Sequence, residues 1–264
     1  GINAKTIINV ELPIRFLISG QSQSGKSILC RRFFLDSLAR GLTPVLLDGR
    51  KIKRFTHTEI QSLVDQNISE QYAPELLDQF KQLPSSRKVI IIDDFDSISL
   101  TAKSRIDLLA NLNELYENII LSVSDLFKYE EFVIEERSEL EVLKSYRSFD
   151  VLECNFTLRR QLIEKWNNLG SSYDPDDEAT LRLHDQSERV IDTVVGKNLL
   201  PVYPIFILTI LQSIEAGKTS ALEQSSYGYY YNFLIIRTLG ELERQPDDMN
   251  ALDSYIESLA YKFY

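Results

Sequence analysis

The stretch Gly20-Gln21-Ser22-Gln23-Ser24-Gly25-Lys26-Ser27 constrains this chain more than any other segment. Its two glycines let the backbone curl so that successive N–H groups point inward. The lysine and the hydroxyl that follow complete the pattern G-x-x-x-x-G-K-[ST]. In that pattern the N–H groups cradle phosphate oxygens, the lysine reaches the β- and γ-phosphates and the hydroxyl ligates Mg²⁺. The flanks agree. An apolar run, Ile14 to Ser19, stops at Gly20, and a helical pattern runs from Gly25 through Ile28, Leu29, Phe33, Leu35 and Leu38 to Gly41, a C-cap. The start of that helix adds its positive N-terminal end. Gly20, Gln21, Ser22, Gln23, Ser24, Gly25, Lys26, Ser27 and Ile28 are therefore assigned to nucleotide phosphates, and Ser27 to the metal.

Further strands are expected at Pro44–Asp48, Val89–Asp93, Asn118–Val123 and Phe149–Glu153. They are continuous apolar runs rather than alternating ones, as in strands covered on both faces, so the fold class is α/β: a parallel sheet with flanking helices. Tyr72 to Leu83, stopped by Pro84, and Lys103 to Tyr116 read as helices of this part. Leu126 to Tyr146 is charged and receives no assignment. After about Asn155 no strand is convincing. Helices are expected from Thr157, as N-cap, to Asn168, and over Asp177–Val195, Pro204–Glu215, Ser226–Arg244 and Asn250–Tyr264. The division expected is 1–155 for the α/β domain and 156–264 for an all-helical one.

The chain has 264 residues, 44% of them hydrophobic, and a net charge of −10. That balance argues against a dedicated nucleic-acid binder, which carries a basic face. Cys30 and Cys154 cannot make a disulfide framework, and with only His57 and His184 beside them a structural zinc is not expected. No apolar run is long enough to span a membrane, and no signal peptide is evident. A soluble, reducing, cytoplasmic setting is expected. Trp166 reads as core and His184 as a surface residue. Lys51, Lys53 and Arg54, and Glu130, Glu131, Glu135 and Glu136, read as solvated faces. The tyrosines 227 and 229–231 read as helix packing.

A phosphate loop needs an acid at the end of another buried strand. Val89-Ile90-Ile91-Ile92-Asp93-Asp94-Phe95-Asp96 supplies it. Asp93 is placed to hold Mg²⁺, directly or through water. Asp94 is placed to orient or deprotonate the attacking water, and with Lys26 makes up the catalytic assignment. Asp96 is either a surface turn or a supporting group.

The glycine-rich loop and the strand VIIIDDFD resemble the Walker A and Walker B elements of P-loop NTPases. An acid directly after the Walker B aspartate resembles the branch that includes AAA+ and STAND ATPases, in which that residue, more often glutamate, is hydrolytic. Phe156-Thr157-Leu158-Arg159-Arg160-Gln161-Leu162-Ile163 and Trp166 resemble the entry to the STAND helical region. Val195 to Pro204, with Pro201, resembles the proline-containing start by which the STAND lid approaches the nucleotide. Overall the chain is most similar to the STAND ATPases of bacterial defence proteins.

The resemblance implies a Mg-ATP switch with slow, regulatory hydrolysis and a lid that reports nucleotide state through Pro201. It also implies a homo-oligomer on activation, with effector and sensor domains outside this segment. Gly1 in place of Met and the helical pattern at Tyr264 fit a piece of a larger chain. Many STAND proteins carry a γ-phosphate-sensing arginine after the fourth strand. This chain has Ser124 and Asp125 there, so the sensor is one of these, or Arg159 or Arg160 unless those two are helix-surface salt bridges. No guanine-reading Asn-Lys-x-Asp motif occurs, leaving ATP/ADP as the nucleotide. Two alternatives remain: a non-hydrolysing nucleotide-bound assembly module, and an AAA+-like nucleic-acid motor, against which the acidic charge weighs.

Overall fold

The computed structural model describes residues 13–125, 127, 142–169, 178–195 and 201–215. The chain forms two compact units, Gly1–Leu152 and Glu153–Tyr264.

The first unit is built on five parallel strands: β1 (Arg15–Gly20), β2 (Thr43–Asp48), β3 (Lys88–Asp93), β4 (Asn118–Ser124) and β5 (Arg147–Asp150), in the order β2-β3-β4-β1-β5. Side chains alternate across it. Val45, Leu47, Ile90, Ile92, Ile119 and Leu121 face one core, and Phe16, Ile18, Val89, Ile91 and Ile120 face another. Helix α1 (Lys26–Ala39) covers the second core with Cys30 and Phe33. Helices α2 (His57–Gln71) and α4 (Ala102–Leu115) cover the first with Ile60, Val64 and Ile68, and with Leu108, Leu109 and Leu112. Each such side chain contributes about 1.5–3 kcal/mol by leaving water. This two-sided burial is why β3 and β4 read as unbroken apolar runs.

α1 ends in a complete Schellman motif. Gly41 takes φ +75°, its N–H donates to Leu38 O, and the Leu42 N–H reaches back to Ser37 O. At the same end of the sheet, where the strands begin, Asn118 is fully buried. Its Oδ1 accepts from the Ile14 N–H at 2.9 Å, and its Nδ2 donates to Ser86 O at 2.9 Å and Lys88 O at 3.1 Å. Asn118→Ala would strand those backbone groups, so a loss of about 2 kcal/mol is expected. It should appear in urea melts as a lower midpoint at unchanged slope.

The structure corrects the expected helix at Tyr72–Leu83. Pro74 lacks an N–H and holds Ala73 extended (φ −146°, ψ 144°). The segment is instead a 3₁₀ turn, Pro74–Leu76, and a short helix α3 (Leu77–Gln82). The longer helix before it, α2, was not expected at all. Its signals were the Thr56–Glu59 cap, in which the Thr56 N–H and hydroxyl both donate to Glu59 Oε2, and the spacing of Ile60, Val64 and Ile68. β5 lies a few residues earlier than expected, set by pairing of Phe16–Ser19 with Arg147–Asp150.

In the second unit, α5 (Phe156–Asn167), α6 (Glu178–Val195) and α7 (Pro204–Glu215) pack Ile163, Ile191, Phe206, Ile207 and Ile210 into their own core. The N-cap of α5 is Asn155, not Thr157. Its Oδ1 accepts from the Leu158 N–H at 2.9 Å, the reach a cap side chain has to the third helical residue. Trp166 packs against the core, as its apolar stripe implies. His184 is half-buried rather than on the surface, because it shares the inward face of α6 with Ser187 and Ile191. The helices expected over 226–244 and 250–264, the tyrosines at 227 and 229–231, the acidic run at 130–136 and the segment 196–200 lie outside the described residues.

Candidate functional site

β1 delivers the chain into the glycine-rich loop and α1 leads it out. Gly25 takes φ +105° and Gln23 φ +63°, so the loop turns through left-handed backbone at two places. Glycine accepts this freely, whereas a side chain at Gly25 would be strained. A Cβ on Gly20 would lie 2.7 Å from Ser24 Oγ and 3.0 Å from Val151 Cβ, which explains the first glycine. Lys26 is 8% exposed and donates from Nζ to Gly20 O at 2.7 Å and Gln21 O at 2.8 Å. The loop is thus drawn around its own lysine. Ser24 Oγ is buried with no partner among the described residues, a polar atom whose desolvation a bound ligand would offset. Gln21, Ser22, Gln23, Ser27 and Ile28 are exposed.

Asp93 ends β3, in register with Asp48 of β2. Its Oδ1 accepts the Ser122 hydroxyl at 2.5 Å and lies 3.7 Å from the Cys30 thiol. Asp94 follows in the left-handed region (φ 54°, ψ 49°), a strain of about 1 kcal/mol for a side chain. Its N–H donates to Ser122 Oγ at 2.9 Å. Asp96 accepts the Ser124 N–H at 3.0 Å, tying the β3 turn to the end of β4.

Three neighbours of these acids were missed in the sequence. Gly49, directly after β2, is pressed against the Asp94 carbonyl: a Cβ there would lie 2.2 Å from the oxygen and 2.7 Å from the carbon. Arg50 pairs in fork fashion with Asp48, Nε to Oδ1 at 2.9 Å and Nη2 to Oδ2 at 3.0 Å, and its Nε lies 4.0 Å from Asp94 Oδ2. Ser122 is the third. The only sequence signal for it was a hydroxyl inside an apolar run, and for Gly49 a glycine at a strand end. Both obstacles to a Gly49 Cβ are backbone atoms, so Gly49→Ala must move the Asp94 turn. The expected cost is about 1–3 kcal/mol of stability, checked by thermal melts.

Charge is arranged unevenly here. Burial, and then the neighbouring Asp93 charge, push the Asp94 carboxyl above its ordinary value, while Arg50 and Lys26 pull it back in part. The hydrogen bond from Arg50 holds Asp48 below the usual carboxylate range. Burial raises the Cys30 thiol to about 12, so it stays protonated and unreactive. Among the described residues no cluster of three metal-binding side chains forms. Mg²⁺ does not need one, because it is held by one or two carboxylates together with substrate phosphates and water. Asp93, whose Oδ2 makes no hydrogen bond among the described residues, and the exposed Ser27 hydroxyl fit that pattern.

The ends of β1, β3 and β4 therefore bring together the loop, Asp93, Asp94 and the sensor candidate Ser124, which pairs directly with Gly20. Asp125 follows Ser124 and is half-buried. Arg159, Arg160 and Pro201 belong to the second unit. Arg159 pairs with Asp192 at 2.6 Å and lies 5.4 Å from the Phe156 ring centroid. Arg160 pairs with Glu164 one turn on, in solvent. Pro201 O accepts the Tyr203 N–H, and the next residue, Val202, is bonded to Cys154 and to the Glu153 carboxylate.

No family model and no curated relative matches the chain. Solved structures do. Two are DnaA bound to AMPPCP, one from Aquifex aeolicus and one with single-stranded DNA. They cover 89% of this chain at 14% and 16% identity, with TM-scores of 0.48 and 0.46. A third, a DNA replication initiation factor, covers 84% at 16% identity with a TM-score of 0.50. The chain spans 65%, 65% and 61% of their lengths. The shared feature is the fold: a five-stranded parallel sheet with flanking helices. Among the described residues no helix is long and apolar enough to cross a membrane.

Proposed function

We propose that this chain is the Mg-ATP-binding switch module of a STAND-type regulator, a slow ATPase that controls oligomerisation and effector activation, in bacterial defence and in the cytoplasm. The observation that carries the nucleotide reading is Lys26: a buried ammonium wrapped in its own loop carbonyls, on the helix that packs Cys30 against Asp93. A cation so enclosed calls for an anion, and polyphosphate answers the inward N–H groups, the lysine and the helix end together. The nucleotide-bound state of the DnaA structures is consistent with it. In this reading the loop residues Gly20 to Ile28 bind phosphates, and Ser27 and Asp93 hold Mg²⁺. The metal supplies charge neutralisation at the phosphates, and Asp94 takes or orients the water proton. Residues 156–264 form the lid, with Pro201 its approach to the nucleotide, and Ser124, Asp125, Arg159 or Arg160 senses the γ-phosphate.

Calorimetric titration with ATP and ADP, with and without Mg²⁺, tests the first step, and no heat with either nucleotide would end the proposal. Light scattering of the ATP- and ADP-bound protein tests the switch, which requires a larger particle in one state. A non-hydrolysing assembly module is the second reading. It is favoured by Asp94, a short acid held in strained backbone 4.0 Å from Arg50. ADP retained through purification, with no turnover, supports it. The motor reading gains nothing from the basic stretch after β2, since Arg50 and Arg54 are paired with Asp48 and Glu59.

A further inference from the structure

We propose that Ser122 is the positioning residue of the metal-binding strand end, setting both the orientation of the Asp93 carboxylate and the backbone of Asp94. The inference rests on the Mg-nucleotide reading and adds a residue to it.

Ser122 is fully buried in the middle of the sheet, on the strand next to β3, where Ile92 pairs with Leu121. A hydroxyl there must satisfy itself or be costly. It does so with the Asp93 carboxylate and the Asp94 amide, with the Cys30 thiol beside it. A serine hydroxyl offers one proton and accepts others. The proton goes to Asp93 Oδ1 at 2.5 Å, and the oxygen accepts the Asp94 N–H at 2.9 Å. The chain of bonds therefore runs in one direction, from the Asp94 amide through Ser122 to the Asp93 carboxylate. The Cys30 thiol, 3.7 Å away, faces the same Oδ1.

Two consequences follow. Both protein donors are gathered on Oδ1, which turns Oδ2 into the oxygen left for a metal or its water. The Asp94 N–H, meanwhile, is anchored in a left-handed turn that a non-glycine residue does not hold unaided. One hydroxyl thus fixes the metal ligand and the neighbouring acid in a single geometry. Alanine at 122 would free the carboxylate to rotate and would loosen the turn. Loss of such an outer partner weakens metal affinity by about 10–100-fold, whereas loop residues that grip phosphate without metal are untouched.

The experiment is a pair of titrations on the purified chain. ADP binding is measured first in EDTA. ATP binding is then measured as a function of Mg²⁺ concentration, for wild type, Ser122→Ala, Ser122→Thr and Cys30→Ala. The expected result is a half-saturating Mg²⁺ concentration raised at least about tenfold in Ser122→Ala, with metal-free ADP affinity within about twofold of wild type. Ser122→Thr, which keeps the hydroxyl, recovers most of the shift, and Cys30→Ala moves it less than Ser122→Ala. Wild-type Mg²⁺ dependence in Ser122→Ala, or an equal loss of metal-free and metal-dependent affinity, overturns the role. If Ser122→Ala does not fold, Ser122→Cys replaces it, keeping the volume with a much weaker donor, and wild-type Mg²⁺ dependence in that variant likewise overturns the role. Absence of any Mg²⁺ dependence in wild type overturns the metal assignment, and absence of nucleotide binding both in EDTA and at every Mg²⁺ concentration overturns the nucleotide reading itself, so the failures are told apart.

Discussion

Lys26→Ala is expected to weaken ATP and ADP binding by about a thousandfold, the ~4 kcal/mol typical of truncating one partner of a buried charged pair. The magnitude follows from where the ammonium sits. Lys26 is 8% exposed, so its charge acts through protein more than through water. Two of its three N–H groups hold Gly20 O and Gln21 O, which fixes the loop around it and leaves a donor for phosphate. Without it the phosphates meet only backbone dipoles and a loop that has lost its internal tie. A trivial explanation, loss of the fold, is separable. Gln21 is exposed, so its freed carbonyl reaches water, and Lys26→Met keeps the buried stem while deleting the charge. Both variants should melt within a few degrees of wild type yet show no calorimetric signal with nucleotide at micromolar protein. An affinity within tenfold of wild type in Lys26→Met would falsify the phosphate role.

Much of this was legible in the sequence, for reasons that differ by element. The loop, β3 and β4 were readable because their constraints are local: glycines where the backbone turns left-handed, and unbroken apolar runs where both faces are covered. α2 was missed because its signal is a cap plus a spaced stripe within a polar segment, and α3 was overextended because Pro74 was not weighed as a break. At the site, Asp93 and Asp94 could be assigned from the motif alone. Gly49, Arg50 and Ser122 could not, because their roles arise only when β2 and β4 are laid on either side of β3. The sequence says that a hydroxyl sits at 122; only the register puts it against Asp93. Asp96 was undecided in the sequence for the same reason, since its partner is the Ser124 backbone one strand away.

Asp94→Asn is expected to lower ATP turnover by about 10²–10⁴-fold, the range for losing a general base, while ATP affinity stays within a few-fold. The amide cannot accept the water proton, yet it tolerates left-handed backbone at least as well as the acid, so the turn and its bond to Ser122 survive. Stability should move the other way. Burial and the Asp93 charge raise the Asp94 carboxyl above its ordinary 3.8 in the folded state, so the folded protein binds this proton more tightly than the unfolded chain does. Ionisation therefore disfavours folding. The penalty is absent below the ordinary value, grows as pH rises through the raised one, and is complete at neutrality. Asparagine removes it. Because the side chain is 35% exposed, solvent screening keeps the gain at pH 7 small, and it shows as a higher melting temperature that vanishes near pH 3. In the free enzyme the same direction of shift moves the acid limb of kcat/KM upward from the ordinary aspartate position, since only the ionised carboxylate accepts the proton. An Asp94→Asn protein that hydrolyses ATP at the wild-type rate would remove Asp94 from the chemistry. The module would then have to draw its base from elsewhere, or its hydrolysis from water oriented by the metal site alone.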